Sequence, residues 1–190
     1  MDIERQLMNP DGSVEKPWAF AGYTCVPDAV PGAAGGPGMA RIIQAFHHTR
    51  FATASVGFQP KGNLTVVNFP NYYAARFTPA GYGPGEVDVI DPKDMLGYTV
   101  QIRPNVLSYT YHYGDGEQSD PTTSPGGTYP TGDIIHTYTK TGTYRAYVSI
   151  TWGADYQINT GPWHTIPDHV TITQPATTIT VAQAHAHLIP

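Results

Sequence analysis

The clearest pattern in the chain is an alternation of apolar and polar side chains in its second half. In residues 143–152 the apolar side chains share one face of an extended strand: Tyr144, Ala146, Val148, Ile150 and Trp152. Residues 106–113 alternate in the same way, which places on one side Leu107, Tyr109, Tyr111 and Tyr113. Both segments therefore predict strands with one buried face and one solvated face.

Shorter segments between turn residues predict further strands in the same half. They lie at about residues 97–103, 133–138, 155–159, 169–173 and 177–183. Threonine is concentrated after residue 95, and its branched carbon suits a pleated sheet. Short alternating strands with turn signals about every eight to twelve residues are typical of a β-sandwich. We therefore expect a mainly β protein whose second half is a sandwich.

The first half of the chain carries weaker signals, and it opens with a predicted β-hairpin. The turn sequence Asn-Pro-Asp-Gly at residues 9–12 separates runs with apolar residues at 3–9 and 16–25. Pro fixes φ and Gly accepts positive φ in such a turn. Residues 30–38 are rich in Gly and Pro and predict a loop, because neither residue propagates a helix or a central strand.

Helical periodicity is convincing at one place, residues 39–49. Apolar side chains recur there at helical spacing and predict a short amphipathic helix packed on a sheet: Met39, Ile42, Ile43 and Phe46. Residues 63–69 predict a strand, and residues 78–95 predict an irregular connection. The chain as a whole is thus predicted as a hairpin-and-helix extension at 1–95, packed against a sandwich at 96–190.

Charge and composition narrow the functional classes. Only 13% of residues are charged, and 15 carboxylates against 10 Lys and Arg give a net charge of −5. A nucleic-acid partner would need a concentrated basic face, so we exclude this class. The 20 Gly and 18 Pro residues indicate many turns, while 40% hydrophobic residues supply apolar surface for a folded core. No apolar run approaches the length of a membrane span.

Three motifs follow one another in the second half: Tyr-His-Tyr-Gly-Asp-Gly at 111–116, His-Thr-Tyr at 136–138, and Gly-Thr-Tyr at 142–144. This ordered run resembles the polycystic kidney disease (PKD) domain, as in secreted or surface proteins of actinobacteria, over about residues 96–183. The resemblance implies an immunoglobulin-like sandwich in an extracytoplasmic protein, used for adhesion, spacing or ligand contact. Two departures are Tyr113, where the family more usually has Phe, and a long excursion of 19 residues between Gly116 and His136.

The motif residues also have a physical interpretation of their own. Gly114-Asp115-Gly116 suits a tight turn at a strand end, where Gly accepts positive φ and the Asp carboxylate accepts a backbone N–H. Tyr138 lies where a tyrosine corner would donate a hydrogen bond to the upstream backbone. We therefore predict fold-determining roles for the motif set: Tyr113, Gly114, Asp115, Gly116, His136, Tyr138, Gly142, Tyr144 and Trp152.

Candidate metal ligands are few and poorly spaced. His185 and His187 share one face of a strand and His47-His48 ends the predicted helix, but no third ligand is spaced to accompany either pair. Two carboxylate clusters could hold calcium, although both lack the EF-hand pattern: Asp115, Glu117 and Asp120, and Asp88, Asp91 and Asp94. We predict no metal and no cofactor, with calcium left as the open alternative.

Nothing in the sequence indicates a catalytic site. It contains no Gly-x-Ser-x-Gly elbow, no phosphate-cradling glycine loop and no His-Glu-x-x-His motif. The single cysteine, Cys25, cannot form a disulfide within the chain, so it is either a buried thiol or a partner for a cysteine elsewhere. We therefore predict a protein that is not an enzyme.

The aromatic residues favour binding over catalysis. They exceed what a small core needs, so some reach the surface unless they fill the junction between the two parts: Tyr72, Tyr73, Tyr82, Tyr98, Tyr129, Trp152, Tyr156 and Trp163. We predict a non-enzymatic module, extracellular or at the cell surface, for surface association, adhesion or assembly. Its partner is a protein or glycan surface or a second copy of itself. The alternative is an accessory glycan-binding domain of a secreted hydrolase.

Overall fold

The computed structural model describes residues 2–8, 14–23 and 36–184, and within them the protein is mainly β, as predicted. One α-helix, α1 (Met39–His48), and two short 3₁₀ segments, Lys61–Asn63 and Pro92–Met95, accompany the strands. The strands are β1 (Asp2–Met8), β2 (Val14–Tyr23), β3 (Ala54–Gln59), β4 (Leu64–Val66), β5 (Pro70–Phe77), β6 (Asp88–Ile90), β7 (Val100–His112), β8 (Ile135–Thr137), β9 (Gly142–Ile158), β10 (Trp163–Thr165), β11 (Val170–Thr173) and β12 (Thr177–Ala182). Among these residues no helix is long and apolar enough to cross a membrane.

β1 and β2 form the predicted N-terminal hairpin. They pair antiparallel, from Asp2 opposite Tyr23 to Met8 opposite Val14, and make a sheet of their own. The predicted turn at residues 9–12, most of the predicted loop at 30–38 and Cys25 lie outside the described residues.

The predicted helix is confirmed and packs on a sheet. The apolar stripe of α1 buries Ile42, Ala45 and Phe46, which form one cluster with Val100 and Ile102 of β7. The helix ends at Thr49, whose N–H bonds to the carbonyl of Phe46. Burial of the stripe fixes the position of α1, because so short a helix gains most of its stability from packing.

The larger sheet is built around β9, a strand of 17 residues. β7 pairs with β9 over nearly its whole length, and β6 extends the sheet beyond β7. The other edge of β9 is shared by three short antiparallel strands, β12, β11 and β10. β4 then pairs in parallel with β12. Every other strand of this sheet therefore pairs either with β9 itself or with a strand that pairs with β9.

Two predicted strand breaks are wrong. The segments 97–103 and 106–113 belong to the single strand β7, and 143–152 and 155–159 belong to β9. Pro104 and Gly153 disfavour the interior of a strand, and the breaks were predicted at these residues. In the structure Pro104 lies opposite Ala154 and Gly153 lies opposite Asn105, so the pairing continues through both positions.

The smaller sheet has the strand order β3-β5-β8. β8 lies within the predicted segment 133–138, whereas β3 and β5 were not predicted. Their alternation is faint because small side chains occupy many of their positions, as in Ala74-Ala75 and Gly57. Two further strands were missed: β6, within the supposedly irregular residues 78–95, and the short β10. Residues on both sides of position 95 contribute strands to both sheets, and the predicted domain boundary there stays a prediction.

Leu107 does not lie on the buried face of β7, where simple alternation placed it. The register between β7 and β9 shifts between Val106 and Ser108, which makes Leu107 a bulge residue. Its side chain is 48% exposed and reaches over Gly153, where an added Cβ would lie 3.1 Å from Leu107 Cδ1. Beyond the bulge the predicted face is buried: Tyr109, Tyr111 and Tyr113.

The two sheets pack against each other over a core rich in aromatic side chains. Val56 and Tyr73 of the smaller sheet join Tyr111 and Val148 of the larger sheet in one buried cluster. Trp152 is fully buried there, with its ring 5.1 Å from Phe51 and 5.6 Å from Phe77. The predicted buried face of residues 143–152 is thus confirmed from Ala146 to Trp152, and Tyr144 is half-buried.

Candidate functional site

The three sequence motifs meet in one cluster, which we call the motif cluster. Its residues are Tyr113, Gly114, Asp115, Gly116, His136, Tyr138, Gly142 and Tyr144. The glycine turn follows β7, His136 belongs to β8, Tyr138 follows β8, and Gly142 opens β9. Trp152, the remaining predicted residue, lies apart from this cluster in the core between the sheets.

His136 holds the glycine turn to β8. Its ring stacks on Tyr113 with centroids 3.9 Å apart and planes within 2°. Its Nε2 lies 2.7 Å from Asp115 Oδ2, and its Nδ1 lies 3.7 Å from Glu117 Oε2. Asp115 Oδ1 also accepts the backbone N–H of Glu117, which is the predicted bond across the turn. The imidazole of His136 is buried, so its contacts stabilise the glycine turn and are not open to a ligand from solvent.

Tyr138 makes the predicted hydrogen bond to the upstream backbone. Its hydroxyl donates to the carbonyl of Tyr113 at 2.8 Å and also bonds the hydroxyl of Tyr73 at 2.8 Å. The ring of Tyr138 stacks on Tyr144 with centroids 4.5 Å apart. Burial raises the pKa of Tyr138 to about 12, and it also raises the pKa of Tyr73 and Tyr113. The cluster therefore favours neutral phenols that bond to one another.

Gly114 is required by both its backbone and its neighbours. Its φ is +88°, and a Cβ at this position would lie 2.6 Å from the backbone nitrogen of Arg145. Gly116 also has a positive φ, +100°, but a Cβ there would meet nothing within 4 Å. The close approach of the turn to β9 therefore depends on Gly114. Taken together, the polar groups of the motif cluster are used within the protein, and the cluster maintains the fold.

Where the structure describes them, the candidate metal ligands do not form a metal site, although Asp88, Asp91 and Asp94 line one depression together with His48. Among residues 36–184, as in the rest of the described chain, no group of three His, Cys, Asp or Glu side chains could hold a metal ion. His47 instead pairs with Asp168 at 2.9 Å. Asp91 accepts the N–H of Lys93 at the start of a 3₁₀ segment. His185 and His187 lie outside the described residues.

An apolar depression on the described part of the chain, which we call the aromatic groove, is a candidate surface for binding a partner. Its volume is about 380 Å³, and it is lined by Gln59, Pro60, Phe69, Pro70, Tyr72 and Tyr129. Phe69 is 46% exposed and Tyr129 is 65% exposed. Contiguous exposed apolar surface of this kind marks interaction sites in folded proteins.

The strand β5 and one long loop position the aromatic groove. Tyr72 and Tyr73 are neighbours in β5, so they point to opposite faces, Tyr73 into the core and Tyr72 into the groove. Tyr129 lies on the loop before β8, and its N–H donates to Gln59 Oε1 at 2.8 Å. Its ring meets Tyr72 edge-on with centroids 5.8 Å apart. The exposed ring is therefore fixed in place from two sides.

A second apolar depression continues the aromatic groove towards β4. It shares Pro60 and Phe69 with the groove and adds residues of β4 and β12. Leu64, in β4, is 54% exposed. The sequence pattern assigned Leu64 and Phe69 to the predicted strand 63–69, of which the structure forms β4 at Leu64–Val66, and it did not identify Pro60, Leu64 or Phe69 as surface residues for binding. The available signal was the presence of large apolar residues within that segment.

The aromatic residues singled out from the sequence divide between core and surface. Tyr73 and Trp152 are buried, Tyr129 is exposed, and the others are half-buried: Tyr72, Tyr82, Tyr98, Tyr156 and Trp163. Tyr98 and Tyr156 pack beside the cluster beneath α1. Both expected positions, in the core and at the surface, therefore occur among these aromatic residues.

Comparison with protein-family models, with curated proteins and with solved structures found no match to this chain.

Proposed function

We propose that this protein is a non-enzymatic module for surface association and assembly, and that copies of the chain contact one another through the aromatic groove. The observation that carries the proposal is the exposure of Phe69 and Tyr129 around an apolar depression of about 380 Å³. Aromatic anchors of this kind supply a large contact area at a low entropic cost.

The difference between the motif cluster and the aromatic groove supports self-association through the groove. The motif cluster uses its polar groups internally, whereas the aromatic groove presents apolar area to solvent. The backbone N–H of Tyr129 donates to Gln59 and its ring contacts Tyr72, so both are placed before any partner binds. Such preorganisation reduces the entropy lost on binding.

We propose in addition that the module is PKD-like, with an immunoglobulin-like sandwich, and that it acts outside the cell or at its surface. The order of the three motifs supports the family, and the low proportion of charged residues is compatible with an extracellular surface carried by Thr, Ser and Tyr. The contacts among Tyr113, Asp115, His136 and Tyr138 give each of these motif residues a role in one cluster.

Self-association tests the proposed function. Sedimentation velocity over a range of protein concentrations is expected to show reversible association of the wild-type chain. The double variant Phe69→Ser and Tyr129→Ser removes two exposed rings and is expected to weaken association at least about tenfold, the loss that corresponds to roughly 1.4 kcal/mol. Both residues are exposed, so the folded structure should persist.

Val89→Ser is the matched control, because Val89 is 58% exposed and does not line the aromatic groove. It should associate as the wild type does. A wild-type chain that stays monomeric throughout, or a double variant that associates normally, contradicts the proposal. Polysaccharide binding on a glycan array that is lost in the double variant would replace it with the glycan-binding alternative.

A further inference from the structure

The outer face of the larger sheet carries a registered set of hydroxyl groups, which we call the hydroxyl face. Three neighbouring strands, β7, β9 and β11, contribute two residues each, spaced by one residue along the strand. Strand pairing aligns them in two rows, Thr171-Thr151-Ser108 and Thr173-Ser149-Thr110. Strand geometry spaces the columns by about 4.8 Å and the rows by about 6.7 Å.

The hydroxyls within each row bond one another but keep capacity for a ligand. Thr151 Oγ1 lies 2.9 Å from Thr171 Oγ1, and Ser149 Oγ lies 3.3 Å from Thr173 Oγ1. Ser149 Oγ also lies 3.2 Å from His112 Nε2. Each hydroxyl offers one donor and two acceptor positions, so these bonds leave part of the hydrogen-bonding capacity of the rows free. All six residues are half-buried or exposed. The rows therefore form a fixed pattern of donors and acceptors open to solvent.

Two aromatic side chains lie along β9 at unequal distances from the rows: Tyr147 is in the next row, and Trp163 lies opposite Gln157, six residues from Thr151. On one side the ring of Tyr147 stacks on His112, with centroids 4.3 Å apart and planes at 15°. On the other side the guanidinium of Arg103 lies 4.3 Å from the centre of the Trp163 ring. Strand propensity and strand pairing account for aligned threonines on a solvated face, but they do not require the stack of Tyr147 on His112 in the next row.

The hydroxyl face is close to electrically neutral. Between Tyr147 and Trp163 the four strands β7, β9, β10 and β11 carry one charged pair, Arg103 and Asp155, joined at 3.1 Å. His112 is uncharged at neutral pH because burial lowers its pKa. Arg145 lies beyond Tyr147 on β9, and the segment that bridges β7 at Gln118 and Thr122 carries the exposed Asp120. An anionic or cationic polymer would find no unpaired countercharge within the rows.

We propose that the hydroxyl face binds a neutral polysaccharide laid across β7, β9 and β11. Sugar hydroxyls would exchange hydrogen bonds with the two rows, and the apolar C–H face of a sugar ring would pack against Tyr147, in the row next to Thr110 and Ser149. The absence of net charge on this face matches an uncharged polymer. A protein partner fits less well, because the two rows consist of Ser and Thr, and Leu107 supplies the large exposed aliphatic side chain beside them. This site is separate from the aromatic groove and lies on the other sheet.

Affinity electrophoresis in native gels tests the proposal. The gels contain neutral polysaccharides (laminarin, xylan, mannan or dextran) or anionic ones (pectate or alginate). At least one neutral polymer should retard the wild-type chain, and the anionic ones should not. Tyr147→Ala, and the double variant Thr151→Val with Thr171→Val, should each weaken this binding about tenfold. Valine keeps the shape and strand propensity of threonine while removing its hydroxyl.

Met39→Ala is the control, since Met39 is 37% exposed on α1 and belongs to neither the hydroxyl face nor the aromatic groove; its binding should equal that of the wild type. Circular dichroism melting verifies that each variant is folded. The proposal is overturned if no neutral polymer retards the protein, if the anionic polymers bind more tightly, or if Tyr147→Ala binds normally. Loss of polysaccharide binding in Tyr129→Ala would move the site to the groove. Self-association is measured separately, so failure here is distinct from failure of the proposed function.

Discussion

The motif cluster and the aromatic groove use the same kind of side chain for opposite purposes. Tyr73 and Tyr72 are adjacent in β5, yet Tyr73 is 1% exposed and bonds Tyr138, whereas Tyr72 lines the groove beside Tyr129. In the motif cluster the hydroxyls find partners within the protein, and the rings contribute to folding. In the groove the rings face solvent and contribute area for contact. A tyrosine-rich composition therefore gives no function by itself; the strand face on which each ring lies decides it.

The largest expected effect is on stability at Gly114. Gly114→Ala is expected to lower the free energy of unfolding by about 3 kcal/mol, because a Cβ would lie 2.6 Å from the Arg145 backbone and φ is +88°. Urea denaturation measures the loss. Gly116→Ala, with positive φ but open space, should lose only about 1–2 kcal/mol. Equal losses in the two variants would show that the close approach of the turn to β9 is unimportant.

The second-largest expected effect is a loss of stability in the motif cluster at alkaline pH. Burial raises the pKa of Tyr138 to about 12 in the folded protein, above an unfolded value of about 10. A group with a raised folded pKa contributes stability that is complete below about pH 10 and is lost as pH rises through the folded pKa. Unfolding free energy should thus fall between about pH 10 and 12. Full ionisation of the tyrosines near pH 10, measured by tyrosinate absorbance with the fold intact, would contradict this.

A smaller effect is expected from removing one hydroxyl of the motif cluster. Tyr138→Phe leaves the carbonyl of Tyr113 and the hydroxyl of Tyr73 without this partner. The free energy of unfolding should fall by about 1–2 kcal/mol, the cost of unmaking a buried hydrogen bond. Tyr144→Phe is the control, because its hydroxyl bonds Lys140 at an exposed position and should cost less than about 0.5 kcal/mol. An unchanged melting midpoint for Tyr138→Phe would remove the tyrosine-corner assignment.

The smallest expected effect on stability completes the comparison. Tyr129→Ala should change the free energy of unfolding by less than about 0.5 kcal/mol, because the side chain is 65% exposed. Differential scanning calorimetry at neutral pH is sufficient to measure it. A loss of several kcal/mol would mean that Tyr129 belongs to the folding core and that the groove is not a surface reserved for binding.

The sequence predicted those parts of the fold that depend on the residue pattern within a single segment. Helix α1, the buried face of Ala146 to Trp152 and the turn at Gly114 follow from local spacing and turn chemistry. β3 and β5 escaped prediction because small residues such as Gly57, Ala74 and Ala75 weaken their alternation. Leu107 was misplaced because a bulge reverses the face of a residue without changing the local sequence pattern.

The proposed binding surfaces were harder to predict from the sequence than the fold was. Tyr72 and Tyr129 were recognised as candidate surface aromatics, but the groove also needs Pro60 and Phe69, which tertiary structure brings to them. The hydroxyl rows depend on the register between three strands, β7, β9 and β11. Register is a property of the paired sheet, and threonine spacing within one strand does not determine it.

The parallel pairing of β4 with β12 affects the order in which the molecule assembles and opens. Leu64 lies opposite Thr180, so this pair closes a loop that contains most of the chain, and it does so through three residue pairs. Closing so long a loop costs chain entropy, and three residue pairs offset only part of that free energy. β4 should consequently join the sheet after β7 and β9 have paired, and its amide hydrogens should exchange with solvent before those of β9. The pairing of these two distant segments is therefore expected to form last during folding and to open first.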